Sequence, residues 1–160
     1  MSLADGITLA RLDLADDRLA RAVLDLQRES YAVEAALIGD DRIPALTETL
    51  PELREARLEW LAAADDVGLS GAVAWSELPD GTVDIDRLVV APRAFRRGVA
   101  TALLDGLDRL YPGRRVLVST GRANAPAVTL YLGRGFAVAR EREVIPGLWI
   151  TELERAGTHP

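Results

Sequence analysis

The chain has 160 residues, 49% of them hydrophobic and 28% charged, which predicts one globular domain over 1–160 with a real core rather than disorder. Its formal charge of −6 disfavours wholesale binding to nucleic acid or an anionic membrane, and no apolar run approaches the ~18 residues of a membrane span. Cysteine and lysine are absent and the one histidine is His159; this excludes disulfides, cysteine nucleophiles and lysine Schiff bases, and speaks against a histidine-centred triad or any metal site.

Residues 1–6 have neither the basic start nor the apolar centre of a secretory signal, so a cytoplasmic location is expected. Residues 7–13 alternate and read as a strand. A helix is expected from about Asp17 to Leu37, with Leu19, Val23 and Leu26 at helical spacing, broken at Gly39-Asp40-Asp41. Residues 44–57 read as a short second helix, interrupted at Pro51. Strands follow at 58–64, 68–78 and 82–90, the last two joined as a hairpin by Pro79-Asp80-Gly81. The strongest helix is expected over Arg96–Tyr111. Ala100, Leu103, Leu104, Leu107 and Tyr111 form one face, and Asp105 and Arg109 are spaced to pair on the other. Val116-Leu117-Val118 reads as a strand buried on both faces. Asn124 caps a helix through about Arg134, with Pro126 in its first turn. Two strands, 136–145 and 148–153, close the chain around Pro146-Gly147. Hairpins and helical crossovers together predict an α/β (α+β) fold, a mixed sheet with helices on both faces.

Chemistry concentrates between Val83 and Phe136. The alternation of Val83-Asp84-Ile85-Asp86-Arg87 fails at Leu88-Val89-Val90, as it does at a β-bulge, which frees backbone groups for a ligand. Next comes Arg96-Arg97-Gly98-Val99-Ala100-Thr101, opening the strongest helix. Small residues, unpaired first-turn amides and Arg93, Arg96 and Arg97 predict an anion site suited to a pyrophosphate. The turn matches neither a Walker loop nor a Gly-x-Gly-x-x-Gly motif.

These segments, with Asn124-Ala125-Pro126-Ala127 leading to Tyr131 and Gly135-Phe136, resemble the GNAT superfamily of N-acetyltransferases. The clear likeness covers about a third of the chain. It departs at Phe95, where the family usually has Gln or Arg; Arg96 or Arg97 can supply that donor. The resemblance implies a mostly antiparallel sheet of about seven strands with one splayed pair, and acetyl-CoA as co-substrate. Leu88 and Val90 would pair with the pantetheine amides, the amides of Arg96, Arg97, Gly98, Val99, Ala100 and Thr101 would hold the pyrophosphate, and Asn124 would bond the pantetheine arm. Family habit implies a homodimer, with the closing strands 136–153 as its surface.

Direct acyl transfer to a primary amine of a small molecule or peptide, in a ternary complex, is then the expected reaction. An N–H of Val89 or Val90 is the candidate oxyanion donor. Asp84 or Asp86, expected on the same face as Leu88, would take the amine's proton, and Tyr131 would protonate the leaving thiolate. Around the acceptor, residues 27–57 hold Glu29, Tyr31, Glu34, Asp40, Asp41, Glu48 and Glu52 against Arg28, Arg42, Arg54 and Arg57, a rim suited to a cationic amine. An acyl-CoA sensor without transfer is the alternative.

Overall fold

The computed structural model describes residues 6–158, so His159 and residues 1–5 lie outside it. The chain runs β1 (Thr8–Arg11), α1 (Asp17–Ile38), a 3₁₀ turn (Pro44–Leu46), α2 (Leu50–Glu55), β2 (Glu59–Ala64), β3 (Leu69–Glu77), β4 (Val83–Val90), a second 3₁₀ turn (Pro92–Ala94), α3 (Val99–Leu110), β5 (Val116–Gly121), α4 (Ala125–Gly133), β6 (Ala137–Ile145) and β7 (Leu148–Arg155). The seven strands form one sheet in the order β1-β2-β3-β4-β5-β7-β6. Every neighbouring pair is antiparallel except β4 and β5. This is the mixed sheet expected from the element order, with the mostly antiparallel pairing and seven strands that the resemblance implied. Among the described residues no helix is long and apolar enough to cross a membrane.

Helices cover both faces. Gly71 on β3 lies under α3: a Cβ there would meet Val99 Cγ1 at 2.6 Å and the Val89 carbonyl at 2.9 Å. On the opposite face α1 reaches β4, where Gln27 accepts from Arg87 at 2.8 Å. Trp60, Trp75, Val73, Leu103 and Leu153 are fully buried between these layers. Asp16 caps α1 by accepting from the Arg18 and Leu19 amides, and Gly39, at φ 69°, ends it. The region 44–57 divides into the 3₁₀ turn and α2, because Thr49 and Glu52 form a capping box that starts the helix anew.

Two helical expectations are corrected. α3 starts at Val99, not Arg96, since Arg96 has φ 64° and Gly98 φ 77°, both left-handed. Asp105 and Arg109 do not pair. Asp105 instead accepts from Arg134 at 2.8 Å, and Asp108 accepts from Arg134 at 3.1 Å and from Arg155 at 2.6 Å. Those bonds tie α3 to the end of α4 and to β7.

The outer strand β6 is exposed along its whole length. Its charges segregate by face. Arg140 and Arg142 both bond Glu152 on one side, while Glu141 sits opposite Thr151 and Glu143 opposite Trp149 on the other.

Candidate functional site

β4 and β5 pair only from Val83 to Ile85 and from Val116 to Val118. Beyond these residues the strands part, and a cavity of about 280 Å³ opens between them. The parting begins beside a bulge. Ala74 pairs with Arg87 and Trp75 with Ile85, so Asp86 is the extra residue. The bulge thus precedes the apolar run where the failed alternation placed it. It also sorts the side chains. Ile85, Leu88 and Val90 share the α3 face with Trp75, Val73 and Gly71, whereas Asp84, Arg87 and Val89 share the α1 face with Ser76, Ala74 and Ala72. Asp84 therefore does not share a face with Leu88, and it does not line the cavity.

Backbone directions along β4 follow from the ladder. Ala91 donates its N–H to the Ser70 carbonyl at 2.8 Å. Peptide groups alternate along an antiparallel strand, so those of Val89 also point to β3, while those of Leu88 and Val90 point into the gap. Val89 is thereby committed to the sheet. Val90 donates to Ser30 Oγ of α1 at 3.3 Å. The Leu88 N–H points away from β3, beyond the end of the β4–β5 ladder.

The cavity brings together Asp86 and Leu88 from β4 and Asn124 and Tyr131 from α4. On α4, Asn124, Ala127 and Tyr131 fall at helical spacing and face it together. Asn124 Oδ1 caps the helix by accepting from the Ala127 amide at 3.2 Å. Tyr131 is 3% exposed and packs edge-on against Phe136, with ring centroids 5.3 Å apart. Burial, reinforced by the nearby Glu34 charge, pushes its hydroxyl well above the ordinary phenol range.

Residues 96–101 stand apart from this cavity, at the start of α3. Arg96, Arg97, Gly98 and Thr101 are exposed, Ala100 is half-buried and Val99 is buried. No side chain caps the helix, so its first amides remain available. Arg96 and Arg97 form no ion pair among the described residues. Arg93, expected beside them, is held elsewhere: it donates to Asp65 at 2.7 Å and to the Leu69 carbonyl at 2.9 Å.

Of the expected acidic rim, Tyr31, Glu34 and Arg42 line the cavity. Arg42 chelates Asp40 and donates to the Pro146 carbonyl at 2.9 Å, tying the loop after α1 to the β6–β7 turn. Glu48 lies behind Arg87, whose side chain is 8% exposed and donates to Glu48 at 2.7 Å and to Asp86 at 2.7 Å. Glu52 serves the α2 cap, and Arg54 bonds the Leu14 carbonyl and Asp17. Glu34 makes no ion pair among the described residues. A Cβ on Gly121 would lie 3.7 Å from Glu34 Oε1, so the carboxyl leans over the end of β5. Burial pushes that carboxyl above its ordinary range, against hydrogen bonding from Asn124. Ser30, Ile38, Ser119 and Ile150 are further residues around the gap that the local motifs did not single out. They carry no spacing signal, because three separate elements supply them.

Comparison with known proteins agrees with this architecture. The family model described as the acetyltransferase (GNAT) family matches residues 20–136. UPF0157 protein YqkA of Bacillus subtilis (strain 168) is 32% identical over 134 residues, 83% of this chain and 39% of that protein. The chain thus spans about two fifths of that relative's length. Among solved structures, the ribosomal-protein-S18-alanine N-acetyltransferase of Escherichia coli superposes with a TM-score of 0.76 at 16% identity, over 96% of each chain. The PaiA N-acetyltransferase of Thermoplasma acidophilum, in complex with coenzyme A, gives 0.70 at 18% identity over 94% of this chain and 98% of that one. YncA of Salmonella typhimurium, with its cofactor acetyl-CoA, gives 0.69 at 20% identity over 97% and 96%. At these identities the likeness is one of fold, and it is the family match over most of the chain that carries the assignment: this chain belongs to the GNAT acetyltransferase family.

Proposed function

We propose that the protein transfers an acetyl group from acetyl-CoA directly to a primary amine, with both substrates bound at once in the gap between β4 and β5. The observation that carries this reading is the parting of the strands after Ile85 and Val118. It leaves the peptide edge of Leu88 facing a cavity that also holds Tyr131. The residues present fit the co-substrate. Leu88 and Val90 offer their carbonyls, which point into the gap, to pantetheine amides. The amides of Val99, Ala100 and Thr101, uncapped at the start of α3, suit a pyrophosphate, with Arg96 and Arg97 adding charge and Gly98 giving close approach. Asn124 borders the same cavity, its oxygen serving the cap and its amino group bonding Glu34, and its second amino hydrogen is the one left for the pantetheine arm.

Acetyl-CoA bound there supplies an activated acyl carbonyl. The chain's part is to orient and to move protons. The Leu88 N–H is our candidate for holding the carbonyl oxygen, in preference to the expected donors Val89 and Val90, because the Val89 amide points to β3 and the Val90 amide donates to Ser30. The Tyr131 hydroxyl, kept protonated by its burial, donates to the departing sulfur. The acceptor is a small molecule or peptide carrying a cationic amine, drawn to the carboxylates that line the cavity.

Isothermal titration tests the binding half. The protein should bind acetyl-CoA and CoA in preference to NAD or ATP, and a folded Gly98→Asp variant should lose that binding, since a carboxylate at the phosphate position repels it. Undiminished CoA affinity in that variant would remove the phosphate assignment. Binding without CoA release from any amine would favour the sensor alternative.

A further inference from the structure

We propose that Glu34, on α1, is the base that takes the proton from the acceptor amine; this rests on the acetyl-transfer reading above. Three carboxyls come into question near the thioester position, and geometry separates them. Asp84 lies on the other face of β4 from Leu88 and outside the cavity. Asp86 lines the cavity but is held by Arg87 Nε at 2.7 Å. One of its carboxyl oxygens is thereby already occupied by a guanidinium. Glu34 lines the same cavity, leans over Gly121 at the end of β5, and has no cationic partner among the described residues.

The charged and titratable groups that face Glu34 are few. Tyr31 comes from its own helix, Asp86 and Arg87 from β4, Tyr131 from α4, and Arg42 from the loop after α1. Arg87 is committed to Asp86 and Glu48, and Arg42 to Asp40 and the Pro146 carbonyl. Neither cation is spent on Glu34. Its raised carboxyl affinity for protons, set by burial, brings it closer to a base that works near neutral pH.

Glu34 and Tyr131 then act as a pair across the cavity. Glu34 takes one proton from the bound ammonium and passes it to solvent. The freed nitrogen lone pair forms the C–N bond to the acyl carbon as the C–S bond breaks. Tyr131 gives its proton to the sulfur, and the nitrogen's second proton replaces it. One acetyl group moves, the thiol leaves protonated, and one proton is released. Both groups line the same cavity, as this division of the two protons requires.

The test compares Glu34→Gln with Asp86→Asn. CoA-thiol release is followed from pH 6 to 10 with spermidine, tyramine and a peptide starting with alanine as probes, alongside acetyl-CoA titration and melting. Glu34→Gln should lose about 10²- to 10⁴-fold in rate at pH 7 and recover toward pH 10, where the amine deprotonates unaided. Its acetyl-CoA affinity should hold. Its melting temperature should stay near wild type, because glutamine keeps the shape of the half-buried side chain and an oxygen that can accept from Asn124. A wild-type rate for Glu34→Gln at pH 7, or the same pH-dependent loss in Asp86→Asn alone, overturns the proposal. Acetyl-CoA binding with no release from any probe also overturns it and leaves the cofactor site standing. Absence of binding defeats the underlying reading instead.

Discussion

Tyr131 shows how burial and chemistry can favour the same residue. Its ring packs on Phe136 and it lines the cavity, so Tyr131→Phe keeps the packing and removes only the hydroxyl. We expect kcat to fall by roughly 10- to 10⁴-fold, with acetyl-CoA affinity and melting temperature near wild type. A normal kcat with a lowered melting transition would reduce Tyr131 to a core residue. This position is legible in the sequence because one short helix places Asn124 and Tyr131 on one face, a relation that spacing alone encodes. Glu34 is not legible in that way. It lies 90 residues before Asn124 in the chain, among six other candidate side chains of the acidic rim, and only tertiary packing shows which of them turns inward. Arg87 illustrates the reverse error of local reading. In sequence it completes an alternating strand, whereas in the fold it is buried against Gln27, Glu48 and Asp86.

Among the elements, strands and helices were largely legible, because periodicity of 2 and 3.6 survives any tertiary context. What escaped was local backbone geometry. The break in alternation announced a bulge, yet the extra residue is Asp86, because pairing register is chosen jointly with β3. The start of α3 moved to Val99 for a similar reason, as two left-handed residues precede it. The contact between α3 and the sheet offers a sharper test. Gly71→Ala would drive a methyl into Val99 and the Val89 carbonyl. Overpacking of this kind costs about 1–3 kcal/mol, so a melting temperature lower by several degrees is expected. Because Val99 opens the proposed phosphate turn, acetyl-CoA affinity should weaken as well, while Tyr131 and Glu34 remain in place. A fall in stability with full affinity would separate the helix start from the cofactor.

For the molecule as a whole, charge pairing stitches together segments far apart in the chain. Asp65, in the turn between β2 and β3, holds Arg93 in the turn after β4. The Arg93 guanidinium pulls the Asp65 carboxyl down to about 2. A folded value below the unfolded one contributes stability that is present above about pH 4 and lost as pH falls toward 2. The melting temperatures of the wild type and of Asp65→Asn should therefore differ at pH 6 and converge between pH 4 and 2. A constant difference would mean that the clamp is not electrostatic. The same economy of charge governs the open margin of the sheet. Two copies that join antiparallel strands edge to edge are related by a two-fold axis perpendicular to the sheet, and that operation keeps each face on its own side. Along β6, Arg140 and Arg142 would then confront the same arginines of the second copy, and Glu141 and Glu143 the same glutamates. Like charges opposed across strands repel. Light scattering at micromolar concentration should accordingly find no dimer built through this edge, whereas replacing all four residues by threonine should allow assembly that grows with concentration. That outcome would overturn the homodimer expected through strands 136–153, with the segregation of arginine from glutamate on one exposed strand as its cause: four residues would then serve as an instruction against self-pairing.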